Sequence, residues 1–175
     1  MAGLKHEIAQ ERPFSTPQEE TLLNILRTAD CLQRAFNRRV REWNITGTQY
    51  NVLRILRGAH PGGLTCSAIG DRMITAVPDI TRLLARLKAL KLVRQQRDPH
   101  DRRVVWTRIT DTGLDLLHQM DPLIEVVPPE LLGHLTTDEL AQLTLLLERA
   151  RTACQDSSQP ISCESRQAGI KCDGA

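Results

Sequence analysis

The chain has 175 residues and a mass of 19.7 kDa, of which 41% are hydrophobic and 25% charged; that is enough for one ordinary domain with its own core, and we expect one compact unit. Its longest apolar stretches fall well short of the roughly 20 residues of a membrane span, and "MAGLKHEIAQERPF" lacks the apolar core of a signal peptide, so we expect a soluble cytoplasmic protein with no membrane partner. The formal net charge of +2 hides a sorting along the chain: residues 46–111 hold twelve Lys/Arg against five Asp/Glu, and residues 112–175 hold four against ten. A basic middle suits a polyanion, the alternative being an ordinary solvated face.

Residues 1–15 read as a flexible arm. From Thr16, Leu22, Leu23, Leu26, Ala29, Leu32, Phe36 and Val40 recur at helical spacing, which predicts a long helix to about Trp43. "ITGTQYNVLRILRGA" then offers Thr48 as an N-cap, followed by Tyr50, Leu53, Ile55 and Leu56 of a shorter helix that stops near Gly58 before the breaker "HPGG". "LTCSAIGDRM" predicts a two-turn helix capped by Thr65. "TAVPDITRLLARLKALKLV" predicts an amphipathic helix with Thr75 as cap, Pro78 in the first turn and Ile80, Leu83, Leu84, Leu87 and Leu90 on its apolar side.

Next, "LVRQQR" and "RVVWTRIT" flank "DPHD" and read as a two-stranded hairpin, with Val105, Thr107 and Ile109 inward and Val104, Trp106 and Arg108 outward. A helix from about Asp111 to Val126 is expected to break near "VPP". Thr136 and Glu139 form a T-x-x-E capping box for a last helix, on which Leu140, Leu143, Leu147 and Ala150 make a stripe with no obvious partner inside one small domain. Residues 155–175 are polar and lack aromatics, which predicts a disordered, acidic tail.

The fold class that follows is mainly α with a small β-hairpin. A short helix, a turn, a second amphipathic helix and a hairpin make a winged helix-turn-helix, in which the second helix fits the major groove of double-stranded DNA and the hairpin tip reaches a neighbouring minor groove. Phosphate would repel the acids of "DPHDRR" unless they had a structural task. We therefore expect Asp98 or Asp101 to pair with an arginine and orient it. Arg103, which alternates with Arg102 along the strand, is the candidate for a narrow minor groove, whose negative potential attracts arginine.

At this point "TRLLARLKALKLVRQQRDPHDRRVVWTRITDTG" resembles the MarR (multiple antibiotic resistance regulator) family: a Thr-Arg recognition helix, a Gly-Leu-Val-type helix exit, a D-x-R wing tip and a closing Leu-Thr-x-x-Gly. The order of elements from Thr16 to Cys154 fits as well. Lys91 stands where the family often has Gly, and Ile109 replaces the usual Leu. The resemblance implies a winged helix-turn-helix over residues 46–110 and dimerisation helices over residues 16–45 and 111–154. It further implies a homodimer that reads a pseudo-palindromic operator, usually as a repressor released by a small-molecule ligand or an oxidant.

Within the recognition helix, Val77, Pro78, Asp79, Thr81 and Arg82 fall toward the N-terminal half, where base edges are reached; Arg82 suits a bidentate contact to guanine and Asp79 an acceptor for cytosine. Arg86, one turn on, suits a backbone contact or an internal ion pair. Asp101, Arg102 and Arg103 make up the wing set, and Thr65, Ser67 and Arg72 are expected to touch phosphates, which positions without specifying. By fold analogy, a pocket for a small aromatic or other effector would involve Trp43, Tyr50 and His118.

Five cysteines, Cys31, Cys66, Cys154, Cys163 and Cys172, match neither a disulfide framework nor a zinc pattern, and the five histidines are scattered. Cys31 is expected to pack as a small hydrophobe rather than to sense oxidants. No metal and no cofactor are expected. Without a Walker loop, a dinucleotide turn or a nucleophile elbow, an enzyme is not expected either. The competing class is a winged-helix protein-interaction module, which has no need of a basic segment.

Overall fold

Residues 3–155 are described by the computed structural model. Where the sequence suggests only a flexible arm, residues 4–7 form a one-turn helix, α1 (Leu4–Glu7). Leu4, one of the few apolar residues there, is buried, and Glu7 lies 3.6 Å from Arg27 of the following helix, α2 (Pro17–Val40). Thr16 caps α2 by accepting the Glu19 N–H at 3.1 Å, and Pro17 occupies the first turn, where a missing N–H costs nothing. A 3₁₀ turn (Arg41–Trp43) follows and ends on left-handed Asn44.

Helix α3 (Gly47–Gly58) starts two residues earlier than a Thr48 cap would place it, because Thr46 and Gln49 form a reciprocal capping box. The Asn37 side chain also accepts the Gly47 N–H at 2.8 Å, which ties α3 to the end of α2. Leu53, Leu56 and Val52 of α3 lie at the centre of the core with Val40, Ile69, Leu84, Leu87, Leu117 and Met120, all essentially without solvent contact.

Strand β1 (Leu64–Thr65) leads directly into α4 (Cys66–Gly70), and α5 (Ile80–Ala89) is followed by β2 (Val93–Arg97) and β3 (Val105–Ile109). The sheet has three antiparallel strands in the order β1-β3-β2, one more than the predicted hairpin. A two-residue strand gives no alternation to read; it is visible only as the pairs Leu64–Thr107 and Thr65–Trp106. Thr107 and Ile109 face inward as predicted.

Helix α6 (Asp111–Leu132) runs through "VPP" instead of breaking there, with Pro122, Pro128 and Pro129 inside it. Each proline removes a helical N–H. The last turns are held by tertiary contacts instead: Val127 is buried and Glu130 pairs with Arg39 of α2. Internal packing separates residues 1–131 from a second unit beginning at Leu132. That unit contains α7 (Thr137–Gln155), whose predicted capping box is present, with Glu139 Oε2 accepting from the Thr136 N–H at 2.8 Å and Thr136 Oγ1 from the Glu139 N–H at 3.3 Å. The expected disordered tail lies outside the described residues apart from Gln155, which is helical.

Candidate nucleic-acid interface

Helix α4 is capped by Thr65, whose Oγ1 accepts the Ala68 N–H at 3.3 Å and lies 3.1 Å from Ser67 Oγ. The Thr65 hydroxyl thus accepts as a cap, and Ser67 and Arg72 are exposed, with Asp71 exposed beside Arg72. After α4 the turn is tethered to the core: Asn51 of α3 accepts the Ile74 N–H on Oδ1 at 3.1 Å.

Helix α5, which the sequence reading takes as the recognition helix, starts at Ile80, later than a Thr75 cap implies. Asp79 is the N-cap, with Oδ1 2.8 Å from the Arg82 nitrogen and a non-helical backbone. Val77, Pro78 and Asp79 therefore precede the helix rather than lie in its N-terminal half. Two effects favour the later start: a proline disfavours helical geometry in the residue before it, here Val77, and Asp79 is a strong cap directly ahead of the periodic apolar run. The Asp79 carboxylate, expected to accept from cytosine, has one oxygen committed to the cap. Leu83, Leu84 and Leu87 are buried, while Thr81, Arg82 and Arg86 are exposed. Arg82 and Arg86, one turn apart, share a face.

The exit from α5 explains two of the motif residues. Lys91, standing where glycine is usual, adopts φ +59°, and its carbonyl accepts the Thr110 hydroxyl at 2.7 Å. Thr110 in turn accepts the Gly113 N–H at 3.1 Å and caps α6. A Cβ on Gly113 would stand 2.4 Å from the Leu92 carbonyl oxygen and 2.7 Å from Ile109 Cγ1, so only glycine fits without displacing backbone.

At the wing, Asp101 is the acid that pairs with an arginine: its Oδ1 accepts the Arg103 backbone N–H at 2.9 Å and lies 3.8 Å from Nε of the otherwise exposed Arg103 side chain. Asp98 has another task. It accepts the indole N–H of Trp106 on Oδ2 at 2.8 Å, and on Oδ1 the backbone N–H groups of His100 and Asp101 at 2.8 and 3.1 Å. Foremost the indole bond, and then the two backbone bonds, hold the Asp98 carboxyl below its ordinary value of 3.8. Trp106, expected to point outward, is half-buried by this arrangement. Arg102 is exposed, and the Arg103 side chain is 95% exposed. Arg108 is engaged elsewhere, donating from Nε to the Gly62 carbonyl at 2.9 Å and from Nη1 to Gln96 at 3.2 Å.

Sequence reasoning missed a cleft of about 590 Å³ between the start of α4, α5 and the base of the wing, lined among others by Cys66, Ser67, Thr81, Gln95 and Val105. Its lining comes from several elements, so no local pattern announces it. Cys66 Sγ lies 3.9 Å from Thr81 Oγ1 across it.

The three residues expected around an effector have different settings. Trp43 is half-buried against the core, and His118 is exposed on α6. Tyr50 is buried edge-on to Phe36 with ring centroids 5.6 Å apart. Burial raises the Tyr50 phenol, opposed by Arg57 and Arg54 and reinforced by Asp121. Cys31 is exposed on α2, with Arg34 Nη2 3.8 Å from its sulfur, rather than packed as a small hydrophobe, because its part of α2 is largely uncovered. Among the described residues there is no cluster of three or more groups able to hold a metal, and no helix is long and apolar enough to cross a membrane. Cys163 and Cys172 lie outside the described residues.

A model of the MarR family matches residues 43–104. The transcriptional regulator TtmR of Methylorubrum extorquens (strain PA1) is 30% identical over 159 residues, covering 84% of this chain and 78% of that protein. A MarR transcription factor from Planctomyces limnophilus is 39% identical with a TM-score of 0.61, covering 78% of this chain and 98% of that one. A cysteine-to-serine mutant of MarR from E. coli, solved in complex with operator DNA, is 25% identical with a TM-score of 0.67, covering 85% of this chain and 99% of that one.

Proposed function

Because the chain belongs to the MarR family of DNA-binding transcriptional regulators, which are not enzymes, we propose that it works in the cytoplasm as a homodimeric repressor of a pseudo-palindromic operator. One observation carries the reading. The recognition helix presents Arg82 and Arg86 on one exposed face, and the wing presents Arg102 and Arg103 on a tip already ordered by Asp98 and Asp101. A helix for base edges and an arginine for the minor groove are the two parts that a winged helix needs. Thr81 joins Arg82 in base readout, and Ser67, Arg72 and Arg86 hold phosphates, with Thr65 contributing through the cap. That the similar E. coli MarR was solved in complex with operator DNA supports the DNA-binding reading.

Dimerisation is supported by apolar surface that the single chain leaves open. Leu22 and Leu26 of α2 are each 57% exposed, and Leu143, Leu145 and Leu146 of α7 are 41%, 55% and 50% exposed. Helices from both ends of the chain thus carry leucines in need of cover. Two recognition helices in such a dimer read half-sites about one DNA turn apart. A small molecule or an oxidant that alters this spacing releases the operator; Trp43, Tyr50 and His118 are the positions to probe for the first, and exposed Cys31 for the second.

The experiment is a titration of the purified protein against the promoter region flanking its own gene and an unrelated duplex of equal length, at two salt concentrations. A preference of roughly 10³-fold or more, with protection of two related half-sites, is the expected result. Equal and strongly salt-sensitive binding to both duplexes would leave a basic surface without sequence readout and favour an interaction module.

A further inference from the structure

Ile74 is 80% exposed, well above the 57% of Leu22 and Leu26, the next most exposed large hydrophobics of the described residues. It stands in the turn between α4 and α5, five residues ahead of the Asp79 cap and eight ahead of Arg82. A single exposed apolar side chain is common on any surface. This one differs in how its backbone is held. Its N–H donates to Oδ1 of Asn51, a residue of α3 only 6% exposed, so the turn is fixed to the core at this residue. The Asn51 Nδ2 is buried and has no hydrogen-bond partner. Burying an unpaired donor is unfavourable, and here it accompanies the side-chain bond that ties the turn to α3.

We propose that Ile74 is a specificity-determining residue that contacts the C5-methyl group of a thymine in the major groove, beside the bases read by α5. The inference rests on the DNA-binding reading above. An aliphatic side chain gains nothing from phosphate, and on a base edge its complement is the thymine methyl, the apolar group of the major groove. The Asn51 tether supplies what such a contact requires: a turn that meets the groove in one position, so that the methyl is covered without the entropy of ordering a loop. Asn51 is accordingly a positioning residue, acting through the backbone of Ile74.

The test separates this contact from DNA binding in general. A preferred duplex is first selected from a random library with the wild-type protein, and each thymine is then replaced in turn by uracil, which lacks the methyl group. For the wild type, a single uracil at one particular thymine of either half-site is expected to weaken binding about fourfold, the worth of one covered methyl. Ile74→Ala, at so exposed a position, folds normally and binds the thymine and uracil duplexes equally well. Uracil without effect on the wild type at every position, or an effect that persists in Ile74→Ala, overturns the proposal while leaving DNA binding intact. A library that yields no enriched duplex overturns the DNA-binding reading along with it.

Discussion

The indole nitrogen of Trp106 lies 2.8 Å from Oδ2 of Asp98, joining the second residue of β3 to the first residue beyond β2 across the wing tip. This bond closes the loop that carries Arg102 and Arg103, and its acceptor is one of the two acids that the sequence offers as an arginine's partner. Since Asp98 is held below 3.8 in the folded chain, its contribution to wing order is fully present above the ordinary aspartate range and is lost as pH falls through the depressed value. The Trp106 indole N–H resonance is therefore expected to stay constant from pH 7 to about 4 and to move toward that of a free indole only in stronger acid. A midpoint at or above 3.8 would show that the bond does not favour the carboxylate. In Trp106→Phe the Asp98 midpoint should rise toward 3.8, with the backbone bonds from His100 and Asp101 keeping part of the depression.

Arg82 and Arg103 should separate in binding experiments. Arg82→Ala leaves the Asp79 cap intact, because the cap bonds to the backbone N–H. It should cost ~1 to 3 kcal/mol on the preferred duplex and much less on random DNA. Arg103→Ala should weaken binding to both and lower the slope of log K against log salt by about one. Equal losses on every duplex for Arg82→Ala would remove that residue from base readout.

The α5 exit offers two substitutions of opposite sign. Lys91 has a positive φ, strained for a residue with a Cβ, so Lys91→Gly should stabilise the fold by roughly 0.5 to 1 kcal/mol. Gly113→Ala forces a methyl against the Leu92 carbonyl and should destabilise it by about 1 to 3 kcal/mol. Urea unfolding of the two variants beside the wild type measures both. A destabilised Lys91→Gly would mean that the lysine side chain contributes more than its backbone geometry costs.

Association through the open leucines is tested by Leu143→Glu with Leu146→Glu. Covering the exposed half of such a leucine is worth about 1 kcal/mol and each change occurs twice in a symmetric dimer, so each should raise the dimer dissociation constant roughly tenfold or more. Sedimentation should then show monomer at concentrations where the wild type is dimeric, and operator affinity should fall with it. A double variant that stays dimeric would place the interface elsewhere.

Periodicity located the helices well, since runs such as Leu83, Leu84 and Leu87 state both element and buried face. Boundaries were harder where several capping residues compete. Thr46 prevails over Thr48 because only Thr46 has Gln49 three residues on, and Asp79 prevails over Thr75 because Val77-Pro78 resists helix. "VPP" was misread because a local rule about proline carries no information on Arg39, ninety-one residues away in sequence from its partner Glu130. The exposed arginines of the candidate site were legible from charge and spacing. The Trp106–Asp98 bond, the Asn51 tether and the cleft at Cys66 were not, since each joins residues that only the tertiary fold brings together.

The ladder between Leu64–Thr65 and Thr107–Trp106 has a mechanical consequence. Thr65 is at once the end of a strand and the cap of α4, so the wing and α4 are stitched through a single residue. The spacing between the start of α4 and the β3 strand of the wing is thereby fixed like the jaws of a set caliper. Under the proposed dimeric reading, fitting operators of different pitch or curvature then falls to movement between protomers more than to movement of α4 against the wing.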